Sequence, residues 1–107
     1  MKRYHVYILA SFHRVLYIGI TADLEKRLAY HRALVNPNSF TARYAVSRLV
    51  HWEEFTNPDE AIAREKQLKG WLRTKKVALI EKDNPDWEDL APPPHRSFAA
   101  LRRLRMT

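Results

Sequence analysis

Two stretches near the start concentrate apolar residues at strand spacing. Residues 4–10 (YHVYILA) and 15–20 (VLYIGI) are rich in β-branched and aromatic side chains and are separated by SFHR, the pattern of a β-hairpin. With Val6 set opposite Ile18, Ile8 faces Leu16 and Tyr7 faces Tyr17. The even residues then form an aliphatic core face, and the two tyrosines pair on the other face. A helix is expected over 22–34, with Thr21 as N-cap, Asp23 and Glu25 favourable in its first turn, and Leu24, Leu28 and Leu34 on its apolar side. Arg27 and His31 stand four apart and share one helical face. Residues 35–47 open with the turn-rich VNPNS and run into FTARYAVS, whose state the pattern leaves open.

Residues 48–55 (RLVHWEEF) read as a third strand. Asn57 as N-cap, Pro58 at the first position and Glu60 at the capping-box position then start a second helix, expected to run to about Arg73. A short third helix over roughly 75–82, capped by Thr74, follows it. Asn84-Pro85 marks a break, and Pro92-Pro93-Pro94 closes the domain. The order β-β-α-β-α-α implies an α+β fold, a three-stranded antiparallel sheet flanked by helices. The domain is expected over 1–91, with 92–107 a Pro-rich break and a mobile basic tail. A short helix from Phe98 to Leu104 would offer Arg102, Arg103 and Arg105 to phosphates.

Composition narrows the class. A chain of 107 residues, 46% hydrophobic, fits one packed domain and not two. The net charge of +7 favours a polyanionic partner. It is unevenly placed: residues 95–107 hold four arginines and no acid, leaving +3 on the rest. With no cysteine, disulfides, thiolate metal sites and cysteine nucleophiles are excluded, and a reducing cytoplasm is suitable. No apolar run approaches a membrane span. The opening MKRYHVYILASFHR has neither the apolar run nor the cleavage site of a signal peptide, so a cytoplasmic location away from membranes is expected.

The residue that stands out is Glu65. In the helix expected over 58–73, Ala61, Leu68 and Leu72 form an apolar stripe, and Glu65 falls inside it. A carboxylate aimed at a core is costly unless something positive meets it. A hard divalent cation would serve; so would a salt bridge to Arg27 or Lys69, or a stripe lying at the solvent edge. Arg27 can stabilise a phosphoryl transition state and His31 can assist proton transfer, although such pairs on most helices are merely solvated. Tyr7 and Tyr17 are ordinary sheet aromatics, or, beside a metal or cation, a general base and its neighbour. Asn84 has an equally plain reading as the cap of a turn. Phe40, Thr41, Arg43 and Tyr44 suit stacking and phosphate pairing, and equally a packed loop. Gly19 would let a substrate or a neighbouring backbone come close. Composition and spacing alone reach a mixed α/β domain with an unexplained glutamate and no reaction.

HVY at 5–7 followed by YIG at 17–19 resembles the motif of the GIY-YIG nuclease superfamily. DLEKRLAYH at 23–31 is similar to its first helix, AIAREKQLKGW at 61–71 to its glutamate helix, and ALIEKDNPDW at 78–87 to its C-terminal piece. The likeness covers about residues 4–90, in order, and is to the small stand-alone bacterial members. It implies metal-dependent, endonuclease-type phosphodiester hydrolysis on DNA in preference to RNA. Tyr7 would be the general base, Tyr17 would position the water or the phosphate, Arg27 would stabilise the phosphorane and His31 would relay protons. Glu65 would hold one Mg2+ or Mn2+, Asn84 would support the site, and Gly19, Arg43, Tyr44 and Lys69 would meet the nucleic acid. The chain departs from the motif at His5, which replaces its glycine, and at Val6; His5 adds a side chain on the tyrosine face. The alternatives are a nucleic-acid-binding module of the same fold with little catalysis, and a subunit whose protein partner supplies targeting.

Overall fold

The computed structural model describes residues 2–33 and 48–91, and of residues 31–33 the backbone alone. Its elements are β1 (Tyr4–Ala10), β2 (Leu16–Thr21), α1 (Leu24–Ala33), β3 (Arg48–Phe55), α2 (Pro58–Gly70) and α3 (Arg73–Asp83). The sheet has the order β2-β1-β3 with both pairs antiparallel, the α+β architecture that the sequence predicts.

The hairpin register is two residues away from the expected one. Val6 pairs with Ile20, Tyr7 with Gly19, Ile8 with Ile18 and Leu9 with Tyr17. The turn sets this. The Arg14 N–H donates to the Ser11 carbonyl and the Ser11 N–H to the Val15 carbonyl, both at 3.0 Å, with Arg14 in the left-handed region at φ 64°. Such a turn places three residues, 12–14, at the tip, and so fixes which residues oppose each other further down. A shift of two keeps every side chain on its face.

Both faces of the sheet are buried. Val6, Ile8, Ala10, Ile18 and Val50 pack under Ala61 and Leu68 of α2, Ile80 of α3 and Trp87. Tyr7, Leu9, Leu49 and Trp52 form a second core with Leu24 and Leu28 of α1. A bulge in β3 makes this division possible. Ile8 pairs with His51 but Leu9 pairs with Leu49, so Val50 is skipped and Leu49 and Trp52 share the tyrosine face.

Three helix boundaries differ from expectation. Thr21 ends β2 and does not cap α1; its hydroxyl accepts from the Asp23 N–H at 3.0 Å. Asp23 is the cap, accepting from the Lys26 N–H at 3.1 Å through its side chain and from the Arg27 N–H at 3.0 Å through its carbonyl. Asn57 caps α2 as expected, accepting from the Asp59 N–H at 2.8 Å with Pro58 next. That helix stops at Gly70, short of Arg73, because Trp71 and Leu72 are extended. Glycine is the weakest helix former after proline, and the break frees the chain to turn into α3. Leu72 is therefore 79% exposed and leaves the apolar stripe, while Thr74 falls inside α3 and does not cap it. Among the described residues no helix is long and apolar enough to cross a membrane. Arg43, Tyr44 and the basic tail lie outside the described residues.

Candidate functional site

Tyr7 sits at the middle of the central strand, fully buried, with its ring laid over Gly19. A Cβ on residue 19 would land on the Tyr7 hydroxyl and ring carbons, so what approaches Gly19 closely is this side chain. Tyr17 lies on the same face, one pair further along β2. The two rings are 6.3 Å apart between centroids, and a side-chain hydrogen bond joins them.

Burial pushes the Tyr7 hydroxyl well above the ordinary phenol range. Tyr17 pushes the same way, Arg27 opposes, and Glu65 adds a smaller upward push. One oxygen thus feels a residue of β2, one of α1 and one of α2. With no added positive charge it stays protonated at neutral pH.

Glu65 is half-buried on α2, and its Oε2 lies 3.3 Å from Lys69 Nζ, one of the ion pairs open to it from the sequence. Lys69 lines a shallow groove of ≈ 320 Å³ with Leu16, Tyr17, Ile18 and Lys76. Arg27 is exposed on α1, its guanidinium carbon 5.8 Å from the centre of the Tyr30 ring. His31 continues the same helix one turn on, with its side chain outside the description.

Asn84 is not beside these groups in any described contact. It ends α3, is buried, and spends its side chain on the fold. Its amide nitrogen donates to the Val50 carbonyl at 3.2 Å and the Glu88 carbonyl at 2.9 Å, while its oxygen accepts from the Glu88 N–H at 2.9 Å. His5 pairs with Glu54 at 3.3 Å, with its ring 5.8 Å from that of Trp52.

No group of three or more histidine or acidic residues is placed to hold a metal among the described residues. A divalent ion would rest on Glu65 alone, completed by water and substrate phosphate. Magnesium accepts one or two carboxylates in that way. The half-buried carboxylate beside an open groove fits such an ion, provided that Lys69, 55% exposed on a flexible stem, swings aside.

Sequence reasoning missed a half-buried ion network on the other face of the sheet. Glu53 of β3 accepts from Arg64 of α2 at 2.8 and 3.0 Å and lies 2.8 Å from His51 Nε2. Burial alone would raise its carboxyl, but the hydrogen bonds from His51 and Arg64 outweigh this and hold it at about 2. The available signal was His51 and Glu53 two apart on one strand, which places both on the same face.

Residues 3–78 match the GIY-YIG catalytic domain family. A UPF0213 protein of Syntrophus aciditrophicus is 38% identical over 90 residues, covering 80% of this chain and 98% of the relative. One from Haloquadratum walsbyi is 38% identical over 82 residues, covering 76% of this chain and 91% of the relative. The solution NMR structure of the UPF0213 protein BH0048 from Bacillus halodurans superposes with a TM-score of 0.54 at 29% identity, covering 81% of this chain and 92% of that one.

Proposed function

The chain belongs to the GIY-YIG catalytic domain family, and from that premise we propose that it is a metal-dependent nuclease that hydrolyses phosphodiester bonds of DNA in preference to RNA. The observation that carries the reading is the pairing of buried Tyr7 with Tyr17, rings 6.3 Å apart, with Arg27 and Glu65 near enough to act electrostatically on the Tyr7 hydroxyl. Two phenols, a guanidinium and a carboxylate around one point suit in-line attack of water on a phosphodiester.

Tyr7, once ionised, takes the proton of the attacking water, and Tyr17, hydrogen-bonded to Tyr7, positions that water or the phosphate. Arg27 balances the charge that builds on the phosphorus oxygens, and His31 relays a proton from the same helix face. Glu65 would hold a Mg2+ or Mn2+ ion, which would supply positive charge against the burial at Tyr7 and against charge developing on the leaving oxygen. Lys69, released from Glu65, pairs with a phosphate along the groove beside Tyr17, while Arg43 and Tyr44 meet the strand. Gly19 contributes by leaving room for the Tyr7 ring, and Asn84 supports the site from a distance by tying the end of α3 to β3. A catalytically weak nucleic-acid-binding module is the second reading, and the Glu65–Lys69 ion pair favours it, since it satisfies the carboxylate without a metal.

Labelled single-stranded, duplex and branched DNA and RNA, incubated with magnesium or manganese, decide between them. Cleavage should require the metal, and Glu65→Ala and Tyr7→Phe should each lower its rate by about 100-fold or more while binding persists. Absence of cleavage on every substrate, with binding unchanged in both variants, would establish the second reading.

A further inference from the structure

A second groove, of ≈ 420 Å³, opens where β2 turns into α1. It is lined by Thr21, Ala22, Asp23, Lys26, Arg27 and Tyr30. Its size is at the lower end of pockets that hold small ligands, and suits one nucleotide unit far better than a duplex. Asp23 is committed to capping the helix, so its carboxylate is directed at backbone N–H groups. Lys26 has no ion-pair partner among the described residues, and Tyr30 is 40% exposed, one of the few large aromatic surfaces left open. Lys26 and Tyr30 are four apart and so lie on one helical face. Arg27 belongs both to this groove and to the group acting on Tyr7, and its guanidinium lies over the Tyr30 ring at 5.8 Å.

Resting on the nuclease reading, we propose that this groove is a nucleotide-stacking subsite: Tyr30 stacks the unpaired base next to the phosphate held at Arg27, and Lys26 pairs with the adjoining phosphate. The occupant is single-stranded nucleic acid. A base within a duplex is stacked on its neighbours and cannot offer its face to a tyrosine without leaving the helix. An aromatic beside a lysine is the combination by which proteins hold single strands without reading sequence: stacking for the base, a cation for the backbone. The subsite therefore directs the enzyme to single strands, frayed ends and unpaired flaps.

The test uses the full chain in EDTA, so that binding is read without cleavage. The probe is a short single-stranded DNA carrying 2-aminopurine, whose fluorescence is quenched by stacking. Wild type should bind and quench. Tyr30→Ala should lose the quench and bind about tenfold more weakly, the range for one lost stacked base, while Tyr30→Phe, which keeps the ring, should do neither. Lys26→Ala should keep the quench and lower the salt dependence of single-strand binding by about 0.7 in log–log slope. Unchanged affinity and quench in Tyr30→Ala would overturn the subsite, as would a wild type that binds no oligonucleotide. The nuclease reading stands or falls separately. Tyr30-dependent quench with no cleavage in magnesium leaves the subsite and removes the enzyme; metal-dependent cleavage indifferent to Tyr30→Ala does the reverse.

Discussion

A methyl group at position 19 has no place to go, since the Tyr7 ring already occupies it. Gly19→Ala should therefore force the tyrosine aside or bend β2, costing about 1–3 kcal/mol of stability, as overpacking does. Urea unfolding would show this as a lower midpoint, and cleavage should fall further than stability does because the displaced group is the proposed base. A midpoint and an activity both equal to wild type would mean that the ring has another place to sit. From the sequence, Gly19 could be marked as a point of close approach, but not what approaches. That depends on register, which depends on the turn at Arg14, where a non-glycine residue takes a left-handed conformation that its identity does not announce. The face of each tyrosine was legible all the same, because strand alternation survives a shift of two. Glu65 as an acid among core positions was legible too. The Lys69 pair could be named as one of several partners, and only the folded helix selects it.

At the scale of elements, α2 is held to β3 by more than its apolar face. The Glu53 carboxylate, with His51 and Arg64 on either side, is a pinned joint between sheet and helix, and Arg64 extends it to Gln67 at 2.7 Å. Its carboxyl is depressed from 4.5 to about 2, so the joint is intact above pH 4.5 and is lost as the pH falls through that window towards 2. With the side chain mostly buried, the contribution is on the order of 2 kcal/mol at neutral pH. Glu53→Gln should be destabilised by about that much near pH 7, and the gap should shrink by more than half near pH 3. A gap of the same size at both values would show that the charge is irrelevant and only the shape matters. All three strands were legible in the sequence from their apolar and β-branched residues, and the three helices chiefly from cap signals such as Asn57-Pro58. The helix ends, the Asn57 cap of α2 apart, were not. The break at Trp71–Leu72 is held by tertiary contacts, Trp71 lying between Arg64 at 5.2 Å and Lys75 at 4.3 Å, and local propensity does not report these.

At the scale of the whole molecule, the question is how a small domain holds a polyanion. Among the described residues, one shallow groove takes in Tyr17 with Lys69 and Lys76, and another Arg27 with Lys26. Few phosphates can be met there, and the chain outside its last thirteen residues carries a net charge of only +3. Much of the electrostatic attraction is then expected from the arginines at 96, 102, 103 and 105, whatever their conformation. Replacing all four with glutamine tests this directly. If each meets a phosphate, the log–log slope of single-strand binding against salt should flatten by up to about 3, since each contact releases about 0.7 of a counterion. Cleavage of bound substrate should be unchanged if the chemistry resides, as proposed, on the sheet and its helices. Single-strand binding with an unaltered salt slope would mean instead that the grooves alone supply the grip. The stacking of one base on Tyr30 would then contribute a large share of the affinity.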